Sequence, residues 1–179
     1  MVVFDTSTIV LTIDPTASPP LDPGTGQPLT RCKDRIDLLL DTLSKAKTPI
    51  LIPTPVLAEF LVKAGPDKQA FTEKFLAFRN FQVGSFDTKA AIELAILMDP
   101  ELMGQNRLDE ATSKQKVKFD RQIVAIAKVH GASTIYTSDE KLANCARNNG
   151  IQAVMTWEIP LPPDEPQGKL FENPDAGTW

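Results

Sequence analysis

The sequence predicts an α/β fold in which helices pack on a central, mainly parallel sheet of four to five strands. Three observations carry this expectation. Short β-rich runs alternate with helical patterns along nearly the whole chain. An apolar stripe at helical spacing, Ile36, Leu39, Leu40 and Leu43, falls between two such runs. The 179 residues, 42% hydrophobic and 23% charged, suffice for one globular core and are too apolar for a disordered chain.

The strand candidates are residues 2–4 (VVF), 49–53 (PILIP), 81–86 (FQVGSF), 133–137 (STIYT) and 151–156 (IQAVMT). The stripe from Ile36 to Leu43 turns Asp34, Asp37 and Asp41 outward, as an amphipathic helix does. The next helix is expected to take Thr54 as its N-cap, with Pro55 in its first turn, and to stop at Gly65-Pro66. Further helices are expected over about 67–80, 88–98, 116–130 and 140–149, the last closed by Asn149-Gly150. His130, just before Gly131, reads as an imidazole favourably placed at a helix C-terminus.

Two stretches break the rhythm. Residues 14–30 hold five of the 15 prolines and residues 158–179 hold another five with several acids, so both read as loop and tail. The first is long for an ordinary connection and reads either as a lid or binding loop or, preferably, as a mobile insertion. The tail keeps Leu161, Leu170, Phe171 and Trp179, which leaves it able to wrap its own domain or a partner. The chain shows no internal repeat and no second core.

Composition narrows the function. Nineteen Lys plus Arg against 23 Asp plus Glu give a net charge of −4, so no global positive field attracts nucleic acid and any polyanion must be gripped locally. Two cysteines, Cys32 and Cys145, fit neither a disulfide scaffold nor a paired zinc site, and a single histidine disfavours histidine-based metal sites. The start MVVFDTSTIV has no basic segment and does not read as a signal peptide, and no apolar run approaches the roughly 20 residues that span a bilayer. The expectation is a cytoplasmic protein with partners in solution and none in a membrane.

Four acids stand in unusual surroundings. Asp5 ends an apolar first strand, at the sheet edge where ligands bind in open parallel sheets. Glu59 is the one charge in VLAEFLV, with apolar residues on both sides. Asp120 lies three before Ile123, four before Val124 and seven before Ala127, which turns it inward on a helix. Asp139 follows the 133–137 strand and opens the next helix. Each has a plain alternative as a cap, a strand end or an ion pair. Together they imply a cluster that needs cations, and an all-oxygen set without useful Cys or His selects Mg²⁺ or Mn²⁺.

The series VVFDTS, PVLAEFL, FDRQIVAIAKVHGA and IYTSDEKL resembles the PIN-domain nucleases, of the VapC-like kind. The resemblance covers roughly residues 2–156 and implies a PIN-like three-layer α/β/α sandwich over residues 1–157, followed by a tail over 158–179. It further implies a metal-dependent endoribonuclease that hydrolyses single-stranded RNA through water activated by Mg²⁺ or Mn²⁺. Carried onto this chain, the metal-holding catalytic acids are Asp5, Glu59, Asp120 and Asp139, supported by Thr137 and, as a weaker match, Ser7. Asp5 or Asp120 is the candidate for a carboxylate shared between two ions. The resemblance also implies a toxin of a toxin–antitoxin pair, with a cognate antitoxin as partner, and pairing through helices to a homodimer.

Arg107, Lys114, Lys116, Lys118 and Arg121 cluster around Asp120, where Lys116, Lys118 and Arg121 are the candidates for gripping RNA phosphates; a solvated basic lead-in to the helix is the alternative. Rival functions are a phosphatase of the haloacid-dehalogenase type, which would want an acid at the position of Ser7, and a receiver domain, which would want paired acids before Asp5. The remaining alternative is a catalytically silent PIN-like module that binds RNA or protein. Retention of all four acids argues against it.

Overall fold

The computed structural model describes residues 1–99 and 114–163, the side chains of Lys114 and Gln115 apart. Arg107, the side chain of Lys114, and the tail residues Leu170, Phe171 and Trp179 lie outside the described residues.

Five parallel strands form one sheet: β1 (Val2–Phe4), β2 (Ile50–Pro53), β3 (Phe81–Gly84), β4 (Thr134–Thr137) and β5 (Gln152–Met155). Their order across the sheet is β3-β2-β1-β4-β5. In the central strand Val3 stands opposite Leu51 on one side and Ile135 on the other. Every residue of β1 and β2 is buried, as expected of parallel strands covered on both faces.

The helices are α1 (Thr6–Ile13), α2 (Cys32–Lys45), α3 (Thr54–Ala64), α4 (Lys68–Ala77), α5 (Thr88–Leu97), α6 (Lys114–Val129) and α7 (Glu140–Asn148). Right-handed crossovers keep the chain on one face while it steps from β1 to β3, and the jump back across the sheet to β4 carries it to the other. Accordingly α1 packs on α2, α3 and α4, whereas α6 packs on α5 and α7. The result is the three-layer α/β/α sandwich expected, with its reversal point between β1 and β4.

The strands and most helices fall where expected, with four differences. Helix α1 was not anticipated, because six of the eight residues in TSTIVLTI are β-branched and disfavour helix locally. It forms because Asp5 caps it and Ile9 and Ile13, one turn apart, are buried in the core. At α3 the cap is Pro53 and not Thr54, whose hydroxyl instead accepts the backbone N–H of Phe86 at 3.1 Å. The helix expected over 67–80 is a 3₁₀ turn, Gly65–Asp67, followed by the shorter α4.

The fourth difference lies in residues 14–30, which are tied back on themselves. Leu21 pairs antiparallel with Pro28, the N–H of Leu29 reaches the carbonyl of Pro20 at 2.8 Å, and Leu29 is buried. Past β5, Arg35 of α2 donates to the carbonyls of Trp157 and Ile159, and Ile159 is 1% exposed, so the tail begins anchored. Gly84 is a packing requirement: a Cβ there would fall 2.9 Å from Ile126 Cγ2 and from Leu51 Cδ1.

Candidate active site

The reversal between β1 and β4 opens a crevice at the C-terminal edge of the sheet, the position where open α/β sheets bind ligands. A cleft of about 870 Å³ occupies it, and Asp5, Glu59, Asp120 and Asp139 all line it together with Lys63 and Lys116. The four acids come from the end of β1, from α3, from α6 and from the start of α7.

Asp5 is 5% exposed and held from three directions. Its Oδ1 accepts the Ser7 hydroxyl and the Thr8 N–H, each at 2.8 Å, and its Oδ2 accepts the Thr137 hydroxyl at 2.5 Å. Burial raises its pKa, and the Thr137, Thr8 and Ser7 hydrogen bonds only partly oppose that rise. Thr137, itself fully buried, also accepts the N–H of Asp139 at 2.9 Å, so one hydroxyl links two of the acids. Ser7 in turn accepts the N–H of Ser138 at 2.9 Å, and Ser138 shares a 2.7 Å hydrogen bond with the buried hydroxyl of Thr156.

Asp139 caps α7, its Oδ1 accepting the N–H groups of Lys141 and Leu142, and its Oδ2 meets Lys116 Nζ at 2.7 Å. Burial alone would raise its pKa, but the Lys116 hydrogen bond and the helix amides outweigh burial and lower it. Glu59 behaves alike: burial pushes upward, while the Thr6 hydroxyl at 2.5 Å and Lys63 at 2.9 Å hold the carboxyl below its ordinary value.

Asp120 differs. It is 8% exposed, and among the described residues nothing donates a hydrogen bond to it. Burial first, then the charge of Asp139, with smaller contributions from Asp5 and Glu59, push its pKa up to about 6 against the opposing pull of Lys116. An inward carboxylate under this stress is where added positive charge is most favourable.

On α6, Lys116, Phe119, Asp120 and Ile123 share one helical face and line the cleft. The other two expected phosphate ligands do not. Lys118, two residues from Lys116, lies on another side of the helix, exposed and away from the cleft lining. Arg121 is 9% exposed and its guanidinium donates to Met98 Sδ at 3.0 Å, so it packs between helices and does not face the cleft. The helix period that turns Asp120 inward also turns its neighbour away.

Sequence reading missed Thr6, Lys63, Ser138 and Thr156. Lys63 is four residues after Glu59 on one helix, and that spacing could have found it. The three hydroxyls carry no pattern that separates them from ordinary surface Ser and Thr.

The side-chain donors around the cleft are carboxylate and hydroxyl oxygens, a hard set that suits Mg²⁺ or Mn²⁺. Among the described residues no three acidic side chains already stand as a cage around a single point. Two ammonium groups, from Lys63 and Lys116, balance part of the charge instead. The chemistry of the donors and the buried Asp120, whose charge Lys116 offsets only in part, fit a divalent cation.

No family model and no curated protein matches the chain. Solved structures do. VapBC2 from Rickettsia felis, bound to a DNA fragment from their promoter, is similar with a TM-score of 0.57 and 19% identity, over 87% of this chain and 98% of that one. DNA-bound VapBC from Salmonella typhimurium gives 0.57 and 17%, over 87% and 97%. VapC20 of Mycobacterium tuberculosis, a sarcin-ricin loop cleaving toxin, gives 0.50 and 11%, over 80% and 94%. The sheet order, the two helical layers and the crevice between β1 and β4, together with these likenesses, give the chain a PIN-like α/β fold. Within that class the fold is VapC-like.

Proposed function

We propose that the protein is a metal-dependent endoribonuclease that hydrolyses phosphodiester bonds of single-stranded RNA. The observation that carries this reading is the convergence of four acids from four separate elements on one crevice, with Asp120 buried there and given no hydrogen-bond donor among the described residues. Asp5, Asp120 and Asp139 would hold Mg²⁺ or Mn²⁺, with Glu59 completing the set. A bound ion of this kind activates water and neutralises charge developing on the leaving oxygen.

The chain's own groups do the rest. Thr137, Ser7 and the Thr8 amide fix Asp5, the α7 N-terminus fixes Asp139, and Thr6 fixes Glu59. Lys116 and Lys63 place positive charge at the cleft for the RNA backbone. The test is Mn²⁺-dependent cleavage of single-stranded RNA by wild type, Asp5→Asn and Asp120→Asn. Cleavage lost in both variants supports the reading, and cleavage absent in wild type or unchanged by substitution refutes it.

The VapC-like fold also supports a role as the toxin of a toxin–antitoxin pair, acting in the cytoplasm and restrained by a cognate antitoxin seated near the acids. Expression without a neighbouring antitoxin gene should then arrest growth, and harmless overproduction refutes this role. A homodimer belongs to the same reading and is tested by sedimentation. No helix among the described residues is long and apolar enough to cross a membrane.

A further inference from the structure

We propose that Lys116 is a displaceable counter-cation, whose ammonium holds the place of a divalent ion on Asp139 and leaves that oxygen when the ion binds. This rests on the metal-dependent reading of the cleft and specifies how the cleft tolerates its charge without an ion.

Asp139 has two oxygens with different duties. Oδ1 is committed to the amides of Lys141 and Leu142 at the start of α7, so Oδ2 is the one turned to the cleft, and Lys116 Nζ lies 2.7 Å from it. Lys116 is also one helical turn before Asp120, which has no donor among the described residues, so the same ammonium bears on the most stressed carboxylate. Its charge interacts favourably with Asp139, Asp120 and Glu59 together. A cation entering among these acids therefore meets a positive charge already present at the oxygen it needs.

The residue type suits exchange. Lysine presents a point charge on a flexible four-carbon stem, which can withdraw without disturbing the fold, whereas arginine grips a carboxylate with a planar fork. Lys116 is about half exposed, so water can take over the displaced ammonium. Lys63 provides a contrast, since it pairs with Glu59 on its own helix α3 and carries the same charge at the cleft.

The test is calorimetric titration of Mn²⁺ into the metal-stripped full chain at fixed pH and ionic strength. Lys116→Gln should bind Mn²⁺ about three- to fivefold more tightly than wild type, the scale of a half-exposed ion pair. Lys116→Arg should bind it more weakly, and Lys63→Gln should change affinity less than Lys116→Gln. Unchanged or weaker binding by Lys116→Gln overturns the proposal, as does an equal gain in Lys63→Gln, which would indicate only general charge. Asp120→Asn separates the two levels. If wild type binds Mn²⁺ through Asp120 while Lys116→Gln titrates like wild type, the counter-cation role alone fails; if wild type binds no Mn²⁺, the metal-dependent reading fails with it.

Discussion

The hydroxyl of Thr137 donates to Asp5 Oδ2 across 2.5 Å, joining residues 132 positions apart in the chain. Thr137 Oγ1 also accepts the N–H of Asp139, so the ends of β1 and β4 and the start of α7 are positioned by one side chain.

Replacing Thr137 by Val keeps the shape and removes both hydrogen bonds from a fully buried position. Urea unfolding of the metal-free protein should show a loss of about 1–3 kcal/mol, the cost of unsatisfied buried groups. Thr137→Ser should recover most of it.

Asp120 sets a pH dependence. Its folded pKa, about 6, lies above its ordinary value of 3.8, so between those values the folded state binds more protons than the unfolded one. Its contribution to stability must fall as pH rises from about 4 to 6. The lowered pKa values of Asp139 and Glu59 act oppositely, their stabilisation being lost as pH falls. Comparing melting temperatures of wild type and Asp120→Asn across pH 4 to 7 without metal isolates the first effect: the variant should gain relative to wild type as pH rises. Mg²⁺ at pH 7 should raise the melting temperature of wild type and leave the variant nearly unchanged.

Thr6→Val removes the 2.5 Å donor to Glu59 and leaves Lys63 to position that carboxylate alone. RNA cleavage at limiting Mn²⁺ should fall about 10- to 100-fold, as for outer-shell changes at metal sites. Circular dichroism should show the fold retained.

Gly84→Ala forces a methyl group against Ile126 and Leu51. The expected cost is about 1–3 kcal/mol of overpacking, read by denaturant midpoint, with the cleft acids chemically unaltered.

The strands were legible because short β-rich runs between turn signals report burial directly, and β1 through β5 fall within two residues of their expected ends. Asp120 and Asp139 were legible from helix period and strand edge. Helix α1 was not, since its β-branched residues oppose helix locally and its stability comes from the Asp5 cap and the burial of Ile9 and Ile13. Charge clustering misplaced Arg121, because proximity in sequence says nothing of direction around α6. The hydroxyls of Thr6 and Thr156 depend on contacts between distant segments, which composition does not encode.

The sheet order has a consequence for biosynthesis. Since β1 finds β4 only after the chain has run out through β3 and returned, a nascent polypeptide emerging from the ribosome carries Asp5 and Glu59 long before Asp120 and Asp139 can join them. The crevice is completed late in translation, so a truncated product ending before β4 would carry Asp5, Glu59 and Asp120 without Thr137 and Asp139.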